Sequence, residues 1–278
     1  MKKGMKRARL LKSVGVNILA WLLSLLLLAP LLLILLNSFK TSAAASEMNL
    51  ALPASLEWSN YSVVIEKGKL GITFLNSLCY SVSSVLLCTL LSAMASYVLS
   101  RNRKKLHRFL YMFIVLGIAM PINFVTLMTV MQTVNLMNSR IGIVLLYTAT
   151  QIPFNIFLIH SFVSKIPEDI DEAAIIDGAS APGMFVRIVL PLLKPVLVTV
   201  MVLTFLNTWN EFVMPLYFLD SSDKWPMTLA VYNFFGMYFK EWNLVCADIV
   251  LTSAPVILVY LLGQKYIVSG MTAGAVKG

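Results

Sequence analysis

The sequence predicts an all-α integral membrane protein with six transmembrane helices. Three observations lead to this prediction: 59% of the residues are hydrophobic, only 13% are charged, and apolar stretches follow one another along all 278 residues. An average soluble domain carries about 25% charged residues. With a mean hydropathy of +0.82, a soluble chain of this size could not bury its apolar surface, so lipid is the expected solvent.

Six apolar stretches are each long enough to cross the hydrocarbon core, which takes about 20 helical residues. They should be helical because lipid offers no hydrogen-bond partner to exposed backbone groups. The predicted spans are residues 14–36, 72–99, 108–132, 141–163, 192–219 and 244–263. The first resembles the apolar region of a signal peptide, but its length and the lack of a clear cleavage site favour a retained helix.

The basic residues indicate how the chain is oriented. Half of the 22 lie in residues 1–13 and 100–108, each beside an apolar run. Sixteen of them fall on one side of the predicted membrane, which holds residues 1–13, 100–108, 164–191 with the adjacent Lys194, and the tail 264–278. Basic loops stay in the cytoplasm, so both termini are expected there. The net charge of +9 therefore indicates membrane orientation rather than nucleic-acid binding.

Two segments are expected outside the cell. Residues 37–71 form a loop between the first span and a core of five spans (72–263), and residues 220–243 form a second, aromatic-rich loop. The aromatic residues fit either an interfacial belt or a docking face for an external partner.

No residue pattern indicates an enzyme. The three cysteines, Cys79, Cys88 and Cys246, lie in apolar runs without disulfide or metal spacing. His107 and His160 are isolated, and no Gly-x4-Gly-Lys-Ser/Thr phosphate loop occurs. We expect no metal, no cofactor and no catalytic group in this chain.

The 164–191 loop predicts a short acidic helix at the cytoplasmic surface. Pro167 suits a first helical turn, and the acidic residues after it favour the positive end of the helix dipole. Gly178 can supply a left-handed C-terminal turn. A second helix start is expected at Ser180, with Pro182 just inside it.

The same loop resembles a motif of the inner-membrane permeases of binding-protein-dependent ABC importers. That motif is Glu-Ala-Ala, three residues, Gly, nine residues, then Ile-x-Leu-Pro. Every fixed position is matched, between the fourth and fifth predicted spans, by Glu172, Ala173, Ala174, Gly178, Ile188, Leu190 and Pro191. Residues 74–78 resemble the start of the conserved core of such permeases. Residues 208–212 resemble the fifth span of the permeases that carry carbohydrates. Residues 269–278 resemble the tail of the MalG-like group of maltose-transporter permeases.

The resemblance implies a type I ABC importer permease architecture with a cytoplasmic coupling helix, in a bacterial or archaeal cell membrane. It implies a second permease, usually a different chain, and two ATPase subunits that bind ATP and Mg. It also implies an external solute-binding protein that delivers a carbohydrate. On this analogy Glu172, Ala173, Ala174 and Gly178 couple to the ATPase, while Ile188, Leu190 and Pro191 anchor the loop to the fifth span.

Polar residues within the predicted spans are candidates for a substrate pathway, because charge in a membrane is expensive. Glu211 lies four residues after Asn207 in the fifth span, so a continuous helix would place both on one face, with Asn210 adjacent to it. Trp209 is a further candidate because sugars favour aromatic stacking. This face could line the pathway, contact the partner permease or form packing hydrogen bonds. Asp248 is a weaker candidate, because it lies near the outer end of the sixth span.

Two prolines mark further candidates. Pro121 with Asn123 and Pro153 with Asn155 form pairs in the third and fourth spans. A proline inside a helix frees a carbonyl and kinks the helix. Such breaks often line cavities, although prolines also occur in ordinary membrane helices.

Other functions remain open from the sequence. A permease for a polyol or a glycerol phosphate-like solute is one alternative. An anionic solute would favour a cationic pathway, and the predicted spans contain no deep Lys or Arg. An ion-coupled secondary transporter is another, but we find no internal repeat with paired acids. A membrane scaffold or receptor is disfavoured by the buried polar residues.

Overall fold

The chain is helical throughout the part that the structure describes. The structure is a computed structural model that describes the backbone of residues 2–234 and 241–275 and the side chains of residues 14–234 and 241–266. No strand occurs within these ranges. Residues 235–240 of the second external segment and the last three residues of the tail lie outside them.

Fourteen α-helices are described, together with a π-helical turn (Phe185–Val189) and two 3-10 turns (Ser222–Lys224 and Val231–Phe234). The helices are α1 (Lys2–Asn37), α2 (Ser42–Ala45), α3 (Ser59–Lys67), α4 (Leu70–Arg101), α5 (Lys105–Leu116), α6 (Phe124–Thr133), α7 (Arg140–Val163), α8 (Asp169–Ile176), α9 (Ala181–Met184), α10 (Leu190–Leu192), α11 (Lys194–Trp209), α12 (Val213–Phe218), α13 (Met227–Ala230) and α14 (Trp242–Ala275).

Four of the described helices are long and apolar enough to cross a membrane. They contain Val14–Asn37, Leu70–Arg101, Arg140–Val163 and Trp242–Tyr266, which correspond to the first, second, fourth and sixth predicted spans. The pair Ala181–Leu192 and Lys194–Trp209 would make a fifth span, bent by 78°. The all-α membrane fold is confirmed, and the count of six spans stays a prediction.

The third predicted span, 108–132, is divided between α5 and α6, which have 12 and 10 residues. The chain leaves the helix at Gly117 and resumes it after Asn123. Pro121 lacks a backbone donor and disfavours helical geometry in the residue before it. Asn123 then begins α6, because its Oδ1 accepts a hydrogen bond from the Thr126 amide at 3.0 Å.

The fifth predicted span, 192–219, is not one continuous helix. Helix α11 ends at Trp209, and α12 begins at Val213. The Glu211 carboxylate accepts hydrogen bonds from the amides of Val213 and Met214 at 2.8 and 3.0 Å. It thereby satisfies backbone donors that a new helix leaves unpaired, which stabilises the break within an otherwise apolar stretch.

Two compact units divide the chain. One consists of residues 1–70 and 231–252, and Val64, Phe234 and Leu244 belong to its apolar core. Asn60 is buried in this unit. Its Nδ2 donates to the Ser38 and Lys40 carbonyls, both at 2.9 Å, and its Oδ1 accepts from Asn243 at 2.8 Å. These bonds tie the predicted external loop to the N-terminal end of α14.

The other unit consists of residues 71–230 and 253–278, and its helices pack through small polar residues. Ser84 donates to the Val144 carbonyl at 3.2 Å and Ser96 to the Ile156 carbonyl at 3.3 Å, which joins α4 to α7. Small side chains let membrane helices approach closely. All three cysteines are free, and Cys88 and Cys246 are buried.

Gly263 offers a test of the packing of α14 against α11. A Cβ added at Gly263 would lie 2.7 Å from Val202 Cγ1, whereas one added at Gly71 would meet nothing within 4 Å. We expect Gly263→Ala to destabilise the fold by about 1–3 kcal/mol through overpacking, measured by denaturant unfolding in detergent. Gly71→Ala is the matched control. Equal stability of the two variants would contradict this packing.

Candidate functional site

The acidic helix expected in the 164–191 loop is present as α8, with Asp169, Asp171 and Glu172 in its first turn. It begins two residues after Pro167. Gly178 follows it with a φ of +79°, a left-handed conformation that costs other residues about 1–2 kcal/mol. Since a Cβ there would meet nothing within 4 Å, backbone conformation rather than space favours glycine.

The rest of the loop returns the chain to the membrane in short steps. Ser180 begins α9 as expected, because its Oγ accepts from the Gly183 amide at 3.3 Å. A π-helical turn containing Ile188 follows, and then α10, which contains Leu190 and Pro191. Ile188 and Leu190 are partly buried against the core that Val189 completes, and Pro191 is exposed.

Ala174 fixes α8 to the protein interior. It is 4% exposed and belongs to an apolar cluster with Ile159, Val163, Met184 and Leu193. The cluster joins residues of α4, α7 and α11 to the loop. A methyl side chain permits this close approach, so the second alanine of the motif serves as an anchor.

A nearly buried ion pair attaches α8 to α4. Arg101 Nε lies 2.6 Å from Asp171 Oδ2, and the two side chains are only 14% and 12% exposed. Arg101 Nη1 also donates to the Ile166 carbonyl at 3.0 Å. From the sequence, Arg101 is predicted only to help set the orientation of the chain in the membrane. Its place in the last turn of α4, where cations are favoured, was the one available signal.

A second ion pair on the same loop is exposed. Arg103 Nη2 and Glu168 Oε1 lie 2.8 Å apart, with side chains 83% and 48% exposed. The hydrogen bond from Arg103 lowers the pKa of the Glu168 carboxyl. The pair can therefore stabilise the fold above the ordinary carboxyl pKa, and this contribution is lost as pH falls through the lowered value. Water screens such pairs, so the contribution is small.

The outward side of α8 is partly apolar. Ile175 and Ile176 are 63% and 84% exposed, and Glu172 and Ala173 are exposed with them. We call these four residues the α8 face. Because Ala174 and Asp171 hold the opposite side, the α8 face is presented on a fixed support. Such a surface can dock another protein.

A cavity with a mainly apolar lining and three polar side chains lies beside the break between α5 and α6. It has a volume of about 590 Å³, and Gly117, Ile122, Thr150, Gln151 and Asn207 are among the residues that line it. Asn207 Nδ2 donates to Gln151 Oε1 at 3.1 Å. None of the described residues that line this cavity is charged. Gln151, one turn before the predicted Asn155, was not singled out from the sequence.

The remaining pathway candidates do not gather around this cavity. Asn155 is fully buried and donates to Thr204 Oγ1 at 2.9 Å and to Cys88 Sγ at 3.1 Å, so it links α7 with α11 and α4. Trp209 is 1% exposed and packs against Phe74 and Phe205. Both side chains contribute to helix packing.

Helix ends account for the other three candidates. Asn123 and Glu211 cap α6 and α12, and Asn210 Nδ2 bonds back to the Leu206 carbonyl at 2.9 Å. The predicted common face of Asn207 and Glu211 does not exist, because α11 ends between them. Asp248 is 1% exposed rather than hydrated, and its Oδ1 has no hydrogen-bond partner among the described residues.

The 164–191 loop and the spans around it match a known protein family. Residues 89–273, more than half of the chain, match the family described as "Binding-protein-dependent transport system inner membrane component". The chain belongs to this family. This binding-protein-dependent inner-membrane component is a multi-pass membrane protein and a transport subunit.

Relatives of this inner-membrane component cover nearly its whole length. The diacetylchitobiose uptake system permease protein of Streptomyces coelicolor is 33% identical, over 91% of this chain and 85% of its own. A probable starch degradation products transport system permease protein of Thermoanaerobacterium thermosulfurigenes is also 33% identical, over 92% and 93%.

The fold of this inner-membrane component also matches solved structures. One is a bacterial ABC transporter involved in the import of the acidic polysaccharide alginate, with a TM-score of 0.81, 23% identity and coverage of 91% and 95%. Another is the alginate transporter in complex with an alginate pentasaccharide-bound periplasmic protein, with a TM-score of 0.68, 13% identity and coverage of 94% of each chain.

The Arg101–Asp171 pair predicts how firmly α8 is held in this inner-membrane component. Asp171→Asn leaves a nearly buried cation without its counter-charge, which should cost about 1.5–3 kcal/mol of local stability. The amides of α8 should then exchange with solvent about tenfold faster or more, measured by hydrogen–deuterium exchange. Arg103→Gln, which breaks the exposed pair, is the control and should change exchange much less. Unchanged exchange in Asp171→Asn would contradict the anchoring role.

Proposed function

We propose that this chain is the transmembrane subunit of an ATP-driven importer and forms half of the pore for a carbohydrate. An external solute-binding protein delivers the solute, and two separate ATPase subunits bind ATP and Mg and hydrolyse ATP. This chain itself supplies no catalytic group or cofactor. Its work is to form a path and to change that path when the ATPases move α8.

The α8 face is the observation that carries this proposal. An apolar surface that contains Ile176 at 84% exposure stands on the cytoplasmic loop, and the side opposite it is held by Ala174 and the Arg101–Asp171 pair. A merely connecting loop would not need both features. A force applied to the α8 face reaches α4 through the ion pair and α7 and α11 through the apolar cluster. Coupling to an ATPase requires such transmission.

The cavity beside α5 and α6, which none of the described charged residues lines, supports a neutral solute. Gln151, Thr150 and Asn207 offer amide and hydroxyl groups, which suit the hydroxyl groups of sugars. A phosphate or carboxylate would favour a cationic wall. The names of the relatives, which refer to diacetylchitobiose and to starch degradation products, support the same class of substrate.

The partners follow from the family and the shape of the path. We take the cavity beside α5 and α6 as this chain's share of a pore, and a second permease supplies the other half. We propose that this second permease is a different chain and that both termini lie in the cytoplasm, as the basic residues indicate. Copurification of an active complex that contains only identical permease copies would contradict the heterodimer.

The decisive experiment is uptake into vesicles that contain this chain with its partner permease, ATPase and binding protein. Gly178→Pro should abolish uptake and ATPase association while the chain still inserts, because proline cannot adopt the φ of +79°. Wild-type uptake should require ATP on the side of the ATPases. Uptake without ATP, driven by an ion gradient, would contradict the proposal.

A second variant protects this test against simple misfolding. Ile176→Ser leaves the Gly178 turn intact and removes apolar surface only from the α8 face, so it should weaken ATPase association. Leu52→Ser, an aliphatic position of similar exposure (81%) in the predicted external loop, is the matched control and should leave association unchanged. Gly183→Ala controls for substitution of a loop glycine with ordinary φ.

A further inference from the structure

A second polar cavity lies at the cytoplasmic ends of α4, α5 and α7. It has a volume of about 480 Å³ and is lined by Asn102, Arg103, Arg108, Tyr111 and His160, with Leu99 and Met112 forming its apolar wall. The His160 ring stacks on Tyr111 with centroids 3.9 Å apart. We call this space the Arg108 cavity. It is a different cavity from the one beside Asn207.

The charges around the Arg108 cavity favour an anion. Lys104, Lys105 and Arg108 stand at the first turn of α5, the positive end of the helix dipole, where cations are unfavourable. Within the described part of the chain, the Lys104 side chain does not cap this helix, and the first turn contains no acidic residue. Glu168 pairs with Arg103 and leaves Arg108 at the cavity wall. An anion in the cavity would offset both the dipole and these cations.

The apolar surface beside the cavity points to a lipid rather than a free ion. Phe109, Phe113 and Leu116 of α5 are exposed by 64%, 64% and 60%, and the two phenylalanine rings stack with centroids 6.2 Å apart. They lead from the basic end of α5 into the predicted membrane span. A basic cavity between membrane helices with an adjoining apolar strip suits an anionic lipid head group and its acyl chains.

We propose that the Arg108 cavity binds the phosphate of an anionic phospholipid of the cytoplasmic leaflet. Arg108 supplies a planar guanidinium for the phosphate oxygens, and the amino terminus of α5 adds its dipole. Met112 and Phe113 contact the first part of the acyl chains. This site is independent of the proposed substrate, and binding to it can be measured without transport.

The test is native mass spectrometry of the intact complex, purified with its partner subunits and titrated with phosphatidylglycerol or phosphatidylcholine. The wild-type complex should bind phosphatidylglycerol more tightly than phosphatidylcholine. Arg108→Gln should weaken this binding about fivefold, the effect expected of one cationic side chain near an anionic lipid. Lys105→Gln removes an equal charge from the same turn without lining the cavity, so it should bind like the wild type. The mass of the intact complex shows that each variant assembles.

Three results would overturn the proposal. Equal weakening by Lys105→Gln and Arg108→Gln would mean diffuse attraction to the basic loop instead of a built site. Equal binding of phosphatidylcholine would mean that the anionic charge is not read. Displacement of phosphatidylglycerol by inorganic phosphate at matched ionic strength would identify a soluble phosphate as the ligand.

Discussion

The pair formed by Arg101 and Asp171 fixes the part of the structure on which the proposed transport depends. The two side chains meet at 2.6 Å and are largely shielded from water. Separating them would leave an uncompensated charge in a poorly solvated place. The pair therefore holds a short acidic helix, which has little intrinsic stability, at one position against a long membrane helix. Without that support the α8 face would be an ordinary flexible loop.

A helix break borders the other functional feature, which is the cavity beside Asn207. Pro121 interrupts the third predicted span, and the capping carboxylate of Glu211 interrupts the fifth. Irregular backbone at membrane depth is tolerated where it lines a cavity or is buried in protein, and the cavity beside Asn207 is bordered by the first of these breaks. The six candidates for the substrate pathway thus divide into those at helix ends, those that join helices and Asn207, which faces the cavity.

The sequence predicted what depends on local or repetitive signals. Four spans and the short acidic helix followed from composition, and Gly178 and Ser180 were identified because a left-handed turn and a helix cap each need only a few neighbouring residues. The break at Asn210 was missed because hydropathy continues through it and only the position of the Glu211 side chain reveals it. The Arg101–Asp171 pair was missed because the partners are 70 residues apart. Asn155 was predicted to line the pathway, because its burial results from contacts among three helices that the sequence does not show.

The rigid support of the α8 face is tested most directly by measuring the distance between α8 and the end of α4 during the transport cycle. Spin labels at Asp177→Cys, directly after α8 and outside the α8 face, and at Asn102→Cys, both exposed positions, would be placed in a chain whose Cys79, Cys88 and Cys246 are replaced. In the assembled importer, we expect one narrow distance that is the same without nucleotide and with ATP bound, because α8 and α4 move as one body. A distance that broadens or shifts by several ångströms on ATP binding would contradict the rigid support of the α8 face.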